Sequence, residues 1–431
     1  MESVEPVDAR SAEAVSRRGS DYWLNLAAAG LVVFYVIYVA WQLMAGMMCS
    51  QIAVDYCEYL SAGLVANAHG YAALYNLNLL AEAQRSVIPS AVAASPVAVL
   101  PFLYLPVFVL PFQLLSRLEP AAGFWIWTVL NIAILIFYTR SFLRRLSLPA
   151  ASRRLMLLVF ISLPVFMNLF LGQMNLLLMV CVGEFMIEAS RRRYLSAGLW
   201  LGGLLLKPQL LVLVGTVLVV QRAWRILAGA AITTAALGLL SAAMVGPAGL
   251  RSMLTGWLTS AGGQANIWVE GMMNWRMVGA DLSSWSSPSA GWAVAIAGML
   301  VTLTIMLVTW RKRVDAASPA LGVAVVGVLA ACATLAWHSH IHMAVVLLPP
   351  ILCTYQARIL PQRVLGYWVF VPALTFVTMV FVPETLMALH LVSPAIQPLI
   401  YFALGMGMLS ANLYVFAWAV RVARQGNRAA T

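Results

Sequence analysis

Charge is what this chain has least of. Asp, Glu, Lys and Arg make up only 10% of its 431 residues, against 62% hydrophobic, and the mean hydropathy is +0.89. Such a composition excludes an ordinary water-solvated domain, and the apolar runs repeatedly reach the length needed to cross about 30 Å of hydrocarbon. Lysine is nearly missing: Lys207 and Lys312 are the two in the chain. Five cysteines are too few for a disulfide scaffold, and Cys181, Cys332 and Cys353 sit in apolar runs, where cysteine packs as a small hydrophobe. Cys49 and Cys57 fall near the end of the first run, where an oxidising compartment permits, without requiring, a bridge. No CxxC zinc spacing and no glycine-rich nucleotide-phosphate loop occurs, so no cofactor is expected and no metal ligands are assigned. The net charge of +11 does not mark a nucleic-acid partner, because the arginines form short clusters between apolar runs, as in cytoplasmic loops.

The chain therefore reads as an all-α polytopic membrane protein. Twelve apolar segments run over 24–48, 95–116, 121–139, 155–171, 174–190, 194–220, 223–246, 291–310, 318–336, 341–356, 364–383 and 394–420. The first is longer than a signal-peptide core and lacks a small-residue cleavage site, so it is expected to be retained. Simple alternation from an inside N-terminus would export Arg191, Arg192 and Arg193, against the positive-inside rule. Two segments are expected to double back. Segment 95–116 carries Pro96, Pro101, Pro106 and Pro111, and 194–220 is broken by Lys207-Pro208. Residues 1–22 and 422–431 then form cytoplasmic tails around one transmembrane domain, 23–421. Outer loops at about 49–94 and 247–290 carry juxtamembrane helices expected at 55–68, near 77–86 and at 248–259.

The residues with chemistry gather on that outer side. Asp55 ends a charge-free run from Trp23 to Val54, and Glu58 follows one helical turn later, so both carboxyls share a helix face. The bland reading is a solvated interfacial helix with two acids. Lys207 interrupts an apolar run, which fits either a phosphate contact or a lysine snorkelling from a hairpin tip. Gly172-Gln173-Met174-Asn175 supplies two amides suited to sugar hydroxyls, or simply a helix–helix turn. His338, His340 and His342 could meet a phosphate or sugar, hydrogen-bond within their loop, or hold a metal; the alternating spacing converges only in an extended segment. Asn274 with Arg276 fits phosphate recognition or a solvated loop.

Taken in order, Asp55, Gly70 with Tyr75, Tyr104-Leu105-Pro106, Gly172-Gln173-Met174-Asn175, Lys207-Pro208 before Gln209, Asn274 with Arg276, and the His338 cluster before Leu347 to Pro350 resemble the family-87 glycosyltransferases of the GT-C superfamily. The resemblance covers most of the chain. It extends to polyprenol-phosphate-mannose-dependent α-mannosyltransferases of mycobacteria, multi-span enzymes that take a sugar from a lipid phosphate on the outer membrane face. Two departures stand out: the family's Tyr-Pro-Pro reads Tyr104-Leu105-Pro106, and the Ser-Pro before its histidine reads Ala336-Trp337.

The resemblance implies a GT-C-like fold in a bacterial inner membrane, with the active site facing the periplasm or cell exterior. It implies an inverting transfer of mannose or another hexose from a polyprenyl-phosphate donor to a lipid or glycan acceptor. Asp55 would be the general base. Glu58, Tyr75, Tyr104, Gln173, Asn175, Lys207, Gln209, Asn274, Arg276, His338, His340 and His342 would contact substrate, with Lys207, Arg276 and one histidine stabilising the leaving phosphate. A transporter or lipid flippase would need its ionisable groups near mid-membrane between structural repeats. A non-enzymatic assembly subunit would not need Asp55.

Overall fold

A computed structural model describes residues 9–88, 99–261, 271–316, 318–391, 393 and 396–429. The start of the N-terminal tail, Pro96 and the stretch around Trp268 lie outside the described residues. Among the described residues every regular element is a helix and no strand forms. Hydrocarbon offers no water to backbone N–H and C=O groups, and a helix satisfies them within one segment.

The first long helix, α1 (Ala9–Met44), is followed by three shorter helices: α2 (Val54–His69), α3 (Leu77–Val87) and α4 (Val109–Leu115). α2 and α3 are the first-loop helices expected at 55–68 and near 77–86, whereas α4 falls in the apolar segment 95–116. Gly70, at φ 78, ends α2, and the Asn76 side chain caps α3 by accepting from the amides of Asn78 and Leu79. Cys49 and Cys57 form a disulfide with a Cα–Cα distance of 5.5 Å, tying the loop after α1 to the second turn of α2. Among the described residues of the proline-rich segment 95–116, the helical parts are a 3-10 turn at Pro106–Phe108 and α4, together too short to span. A Cβ on Gly63 would come within 2.4 Å of the Phe112 carbonyl, so α4 lies flush on α2.

The remaining helices are α5 (Pro120–Arg145), α6 (Arg153–Ile161), α7 (Leu163–Leu171), α8 (Asn175–Ser190), α9 (Tyr194–Leu201), α10 (Pro208–Val220), α11 (Trp224–Ala261), α12 (Trp275–Trp285), α13 (Pro288–Thr309), α14 (Ala320–Leu335), α15 (Leu348–Gln356), α16 (Gln362–Ala388) and α17 (Gln397–Ala429). Six helices among the described residues are long and apolar enough to cross a membrane, or seven if α6 and α7, bent by 58°, make one span. The other apolar segments of the sequence become shorter helices. Large apolar side chains cover the outside, with Val36 63%, Leu239 72% and Leu300 58% exposed. Lipid tails are as apolar as leucine, so these faces need no protein partner.

Segment 194–220 doubles back as expected. After α9 a 3-10 turn over Gly202–Leu206 leads to Lys207, and α10 returns; Tyr194 and Gln221 line the same pocket while Lys207 lies at the opposite end. The cause is local. Pro208 lacks an N–H and restricts the residue before it, and Lys207 takes φ −129, ψ 80, outside the helical region. In α11 the ladder breaks at Gly246, φ 68, before Pro247, which separates the span from the predicted surface helix at 248–259.

Candidate active site

α2 presents the acids, and α7 fixes where it starts. The amide of Ala53 donates to the Phe170 carbonyl at 2.9 Å. Gly172 closes α7 in the left-handed region, φ 74, and a Cβ there would come within 2.5 Å of the Tyr56 Cβ. Only glycine lets this turn press so closely on α2. The turn delivers Gln173 to Asp55, where Nε2 donates to Oδ2 at 2.8 Å.

Tyr104 gathers the next group. Its hydroxyl accepts from the Tyr59 hydroxyl at 2.8 Å and from Lys207 Nζ at 3.0 Å, while its carbonyl accepts from the Tyr75 hydroxyl at 2.7 Å. Lys207 is buried and forms no salt bridge among the described residues. Glu58, also buried, receives a backbone hydrogen bond from Leu103.

The histidines follow α14 in a segment braced from several sides. Gln209 Nε2 donates to the His338 carbonyl at 3.1 Å, and Asn274 Nδ2 donates to the Ala336 carbonyl at 2.8 Å. The Met273 amide donates to the Ser339 carbonyl at 3.1 Å. Asn175 Nδ2 lies 2.8 Å from His342 Nδ1; an amide nitrogen only donates, so Nδ1 accepts and the ring proton belongs on Nε2. The rings of His338 and His340 meet edge to face at 5.0 Å, and those of His340 and His342 stack at 5.7 Å. Among the described residues no three His, Cys, Asp or Glu side chains converge as metal ligands would.

One cavity of about 1030 Å³ joins these groups, and Asp55, Glu58, Tyr104, Gln173, Lys207, Gln209, His338, His340 and His342 all line it. Its apolar wall includes Tyr38 and Trp41 of α1, Met167 and Phe170 of α7, and Phe376 and Met379 of α16. Four predicted contact residues stand behind that lining. Tyr75 and Asn175 bond to Tyr104 and His342, Asn274 caps α12, and the Arg276 guanidinium stacks 4.9 Å from the Trp337 ring. They brace groups that face the cavity. Tyr59 and Trp257 escaped the sequence reading: Tyr59 is one turn beyond Asp55 on α2, and Trp257 lines the cavity and donates to the Leu103 carbonyl at 2.7 Å. The i,i+4 spacing from Asp55 was the signal for Tyr59.

Burial separates the charges by role. It raises the Asp55 carboxyl above its ordinary range, while the Gln173 hydrogen bond and the Lys207 charge pull it back. Glu58 is raised further, by burial and then by Asp55, toward the neutral acid. Burial, with neighbouring His340 and the Lys207 charge, lowers His338 to about 2, and burial with Lys207 lowers His340 to about 4. Both imidazoles are therefore neutral at pH 7 and offer hydrogen bonds, not charge. Among the described residues, the cation that faces the cavity is Lys207.

The sequence pattern of glycosyltransferase family 87 matches residues 102–337, more than half of the chain. The chain belongs to glycosyltransferase family 87. No curated protein and no solved structure matches it. This membrane glycosyltransferase thus carries Tyr104, Gln173, Lys207 and Arg276 inside the matched stretch, whereas Asp55 precedes it and His338, His340 and His342 follow it. The fold joins the three portions at one cavity. Family membership favours a transferase over a transporter or flippase.

Proposed function

We propose that this glycosyltransferase moves a hexose, mannose being the first candidate, from a polyprenyl-phosphate donor to a lipid or glycan acceptor hydroxyl with inversion at the anomeric carbon. The observation that carries this reading is the single cavity that holds a carboxylate, a buried lysine and neutral imidazoles beside an apolar wall. Asp55 accepts the proton of the acceptor hydroxyl as its oxygen attacks the anomeric carbon from the face opposite the leaving group. The bond from that carbon to the phosphate oxygen breaks, its electron pair departs with the phosphate, and Lys207 neutralises the developing charge. The apolar wall suits a prenyl chain, and Gln173, Gln209 and the histidines suit sugar hydroxyls.

The direct test is incubation of the purified protein with a panel of radiolabelled polyprenyl-phosphate sugars and lipid acceptors. Donor consumption with an acceptor-dependent, inverted product is expected for one sugar. Transfer from a nucleotide sugar alone would refute the donor class.

The pH dependence follows from Asp55. A base works only when deprotonated, so kcat/KM falls as pH drops through a value above the ordinary carboxylate range. Removing an influence that lowers that value moves the acid limb upward. Gln173→Leu and Lys207→Met are both expected to shift it to higher pH, and a limb unmoved in both variants would remove Asp55 from that role.

We further propose a bacterial inner membrane with the cavity outward and one transmembrane domain over 23–421. In support, α8 runs from Asn175 beside His342 to Arg191–Arg193, and α14 runs from beyond Arg311–Arg313 to the His338 segment, so cavity and arginine clusters occupy opposite ends. Ser284 is exposed at the end of α12. A Ser284→Cys variant is expected to react with an impermeant thiol reagent in intact cells; reaction only after permeabilisation would reverse the orientation.

A further inference from the structure

The arginine-rich end of the fold holds a second cavity, of about 510 Å³, enclosed by α8, α9, α10, the start of α11 and α14. Its walls are apolar, with Val182, Phe185, Val217, Leu218, Val325 and Leu329 among them. Its rim carries Arg225 and Arg313. That rim is ordered. Gln221 Nε2 donates to the Trp310 carbonyl at 2.8 Å, Arg313 Nε donates to the Gln221 carbonyl at 2.9 Å, and Arg313 Nη2 donates to the Arg222 carbonyl. Among the described residues neither Arg225 nor Arg313 forms a salt bridge, and the nearby Asp315 pairs with Arg192 at 3.6 Å. Trp224 is 61% exposed beside Arg225, in keeping with indoles at a membrane–water boundary.

These features select an occupant with an apolar body and an anionic end. Apolar walls exclude a soluble anion, and an unneutralised cationic rim disfavours a lipid whose head group carries its own cation. We propose that this cavity binds an acyl chain of an anionic membrane phospholipid whose phosphate meets Arg225 and Arg313. The volume lies within the roughly 300–1,000 Å³ typical of small-molecule sites. The site shares no lining residue with the cavity around Asp55, yet α8, α10 and α14 reach from one to the other. It stands independently of the donor and acceptor proposed above.

The test uses the full chain, purified in detergent, delipidated and offered an equimolar mixture of phosphatidylglycerol and phosphatidylcholine with identical acyl chains. Native mass spectrometry then counts retained lipid. One phosphatidylglycerol per chain is expected, favoured by roughly 25-fold, the ratio that corresponds to about 1 kcal/mol from each of two arginines. Arg225→Gln is expected to cut that preference about five-fold, and Val217→Trp, which fills the cavity, to abolish retention of both lipids. Because Arg313 also braces the rim, Arg225→Gln alone carries the charge test, and Leu329→Trp replaces Val217→Trp if the latter fails to fold. Equal retention of the two lipids would overturn the proposal, as would phosphatidylglycerol retention untouched by both kinds of variant. Displacement by inorganic phosphate alone would also overturn it, assigning the rim to a soluble anion.

Discussion

Asp55→Asn is expected to slow sugar transfer by roughly 100- to 10,000-fold, the loss typical of a missing general base, while donor affinity stays near that of the unaltered protein. The substitution preserves size and retains an oxygen that can accept the Gln173 hydrogen bond, now 2.8 Å long, so α2 and the turn after α7 should keep their contact. Only the capacity to take a proton is lost. Glu58 provides the comparison, because it shares the cavity and the helix face but is driven toward its neutral form. A neutral acid cannot serve as the base, and Glu58→Gln is isosteric with it. Its turnover is therefore expected to fall far less than that of Asp55→Asn. The measurement is single-turnover transfer with donor binding determined separately. A dead Glu58→Gln beside an active Asp55→Asn would move the base one turn along α2, and two active variants would remove the carboxylates from the chemistry.

Lys207→Met is expected to weaken donor binding about ten-fold to 150-fold, the range for losing a charge-assisted hydrogen bond of roughly 1.5 to 3 kcal/mol. Methionine keeps the apolar stem, so the change reports charge more than packing. Lys207 faces the cavity, whereas Arg276 stands behind Trp337, 4.9 Å from its ring. Arg276→Met should consequently cost less, chiefly through looser packing of Trp337. Isothermal or fluorescence titration of a polyprenyl phosphate against both variants separates them. Unchanged binding in Lys207→Met, or a larger loss in Arg276→Met, would take the phosphate away from Lys207.

Much of this molecule is legible in the sequence because its strongest determinant is local. The charge-free run ending at Val54, the Lys207-Pro208 break and the Gly172 turn each follow from one segment's own chemistry: hydrocarbon length, a missing N–H, a left-handed φ. The two short helices of the first loop obey the same rule, and the structure shows Asn76 capping α3 and Gly70 ending α2. Span counting was less secure. Apolar composition does not tell a crossing helix from α4 or from a hairpin arm, since both are equally hydrophobic and differ only in where the chain turns.

The sequence by itself determined the membrane class, the helical elements and the short list of residues able to do chemistry. Only the tertiary structure decided how that list divides. Asp55, Lys207 and the His338 segment come from distant parts of the chain, and whether a side chain faces the cavity or braces a neighbour depends on packing between helices. Tyr75, Asn175, Asn274 and Arg276 are as polar as the residues they support, so type and spacing could not distinguish them. Protonation followed the same rule. Asp55 and Glu58 are one helical turn apart, and the amide from Gln173, the ammonium of Lys207 and unequal desolvation set them apart, all through contacts that exist only once the helices have assembled.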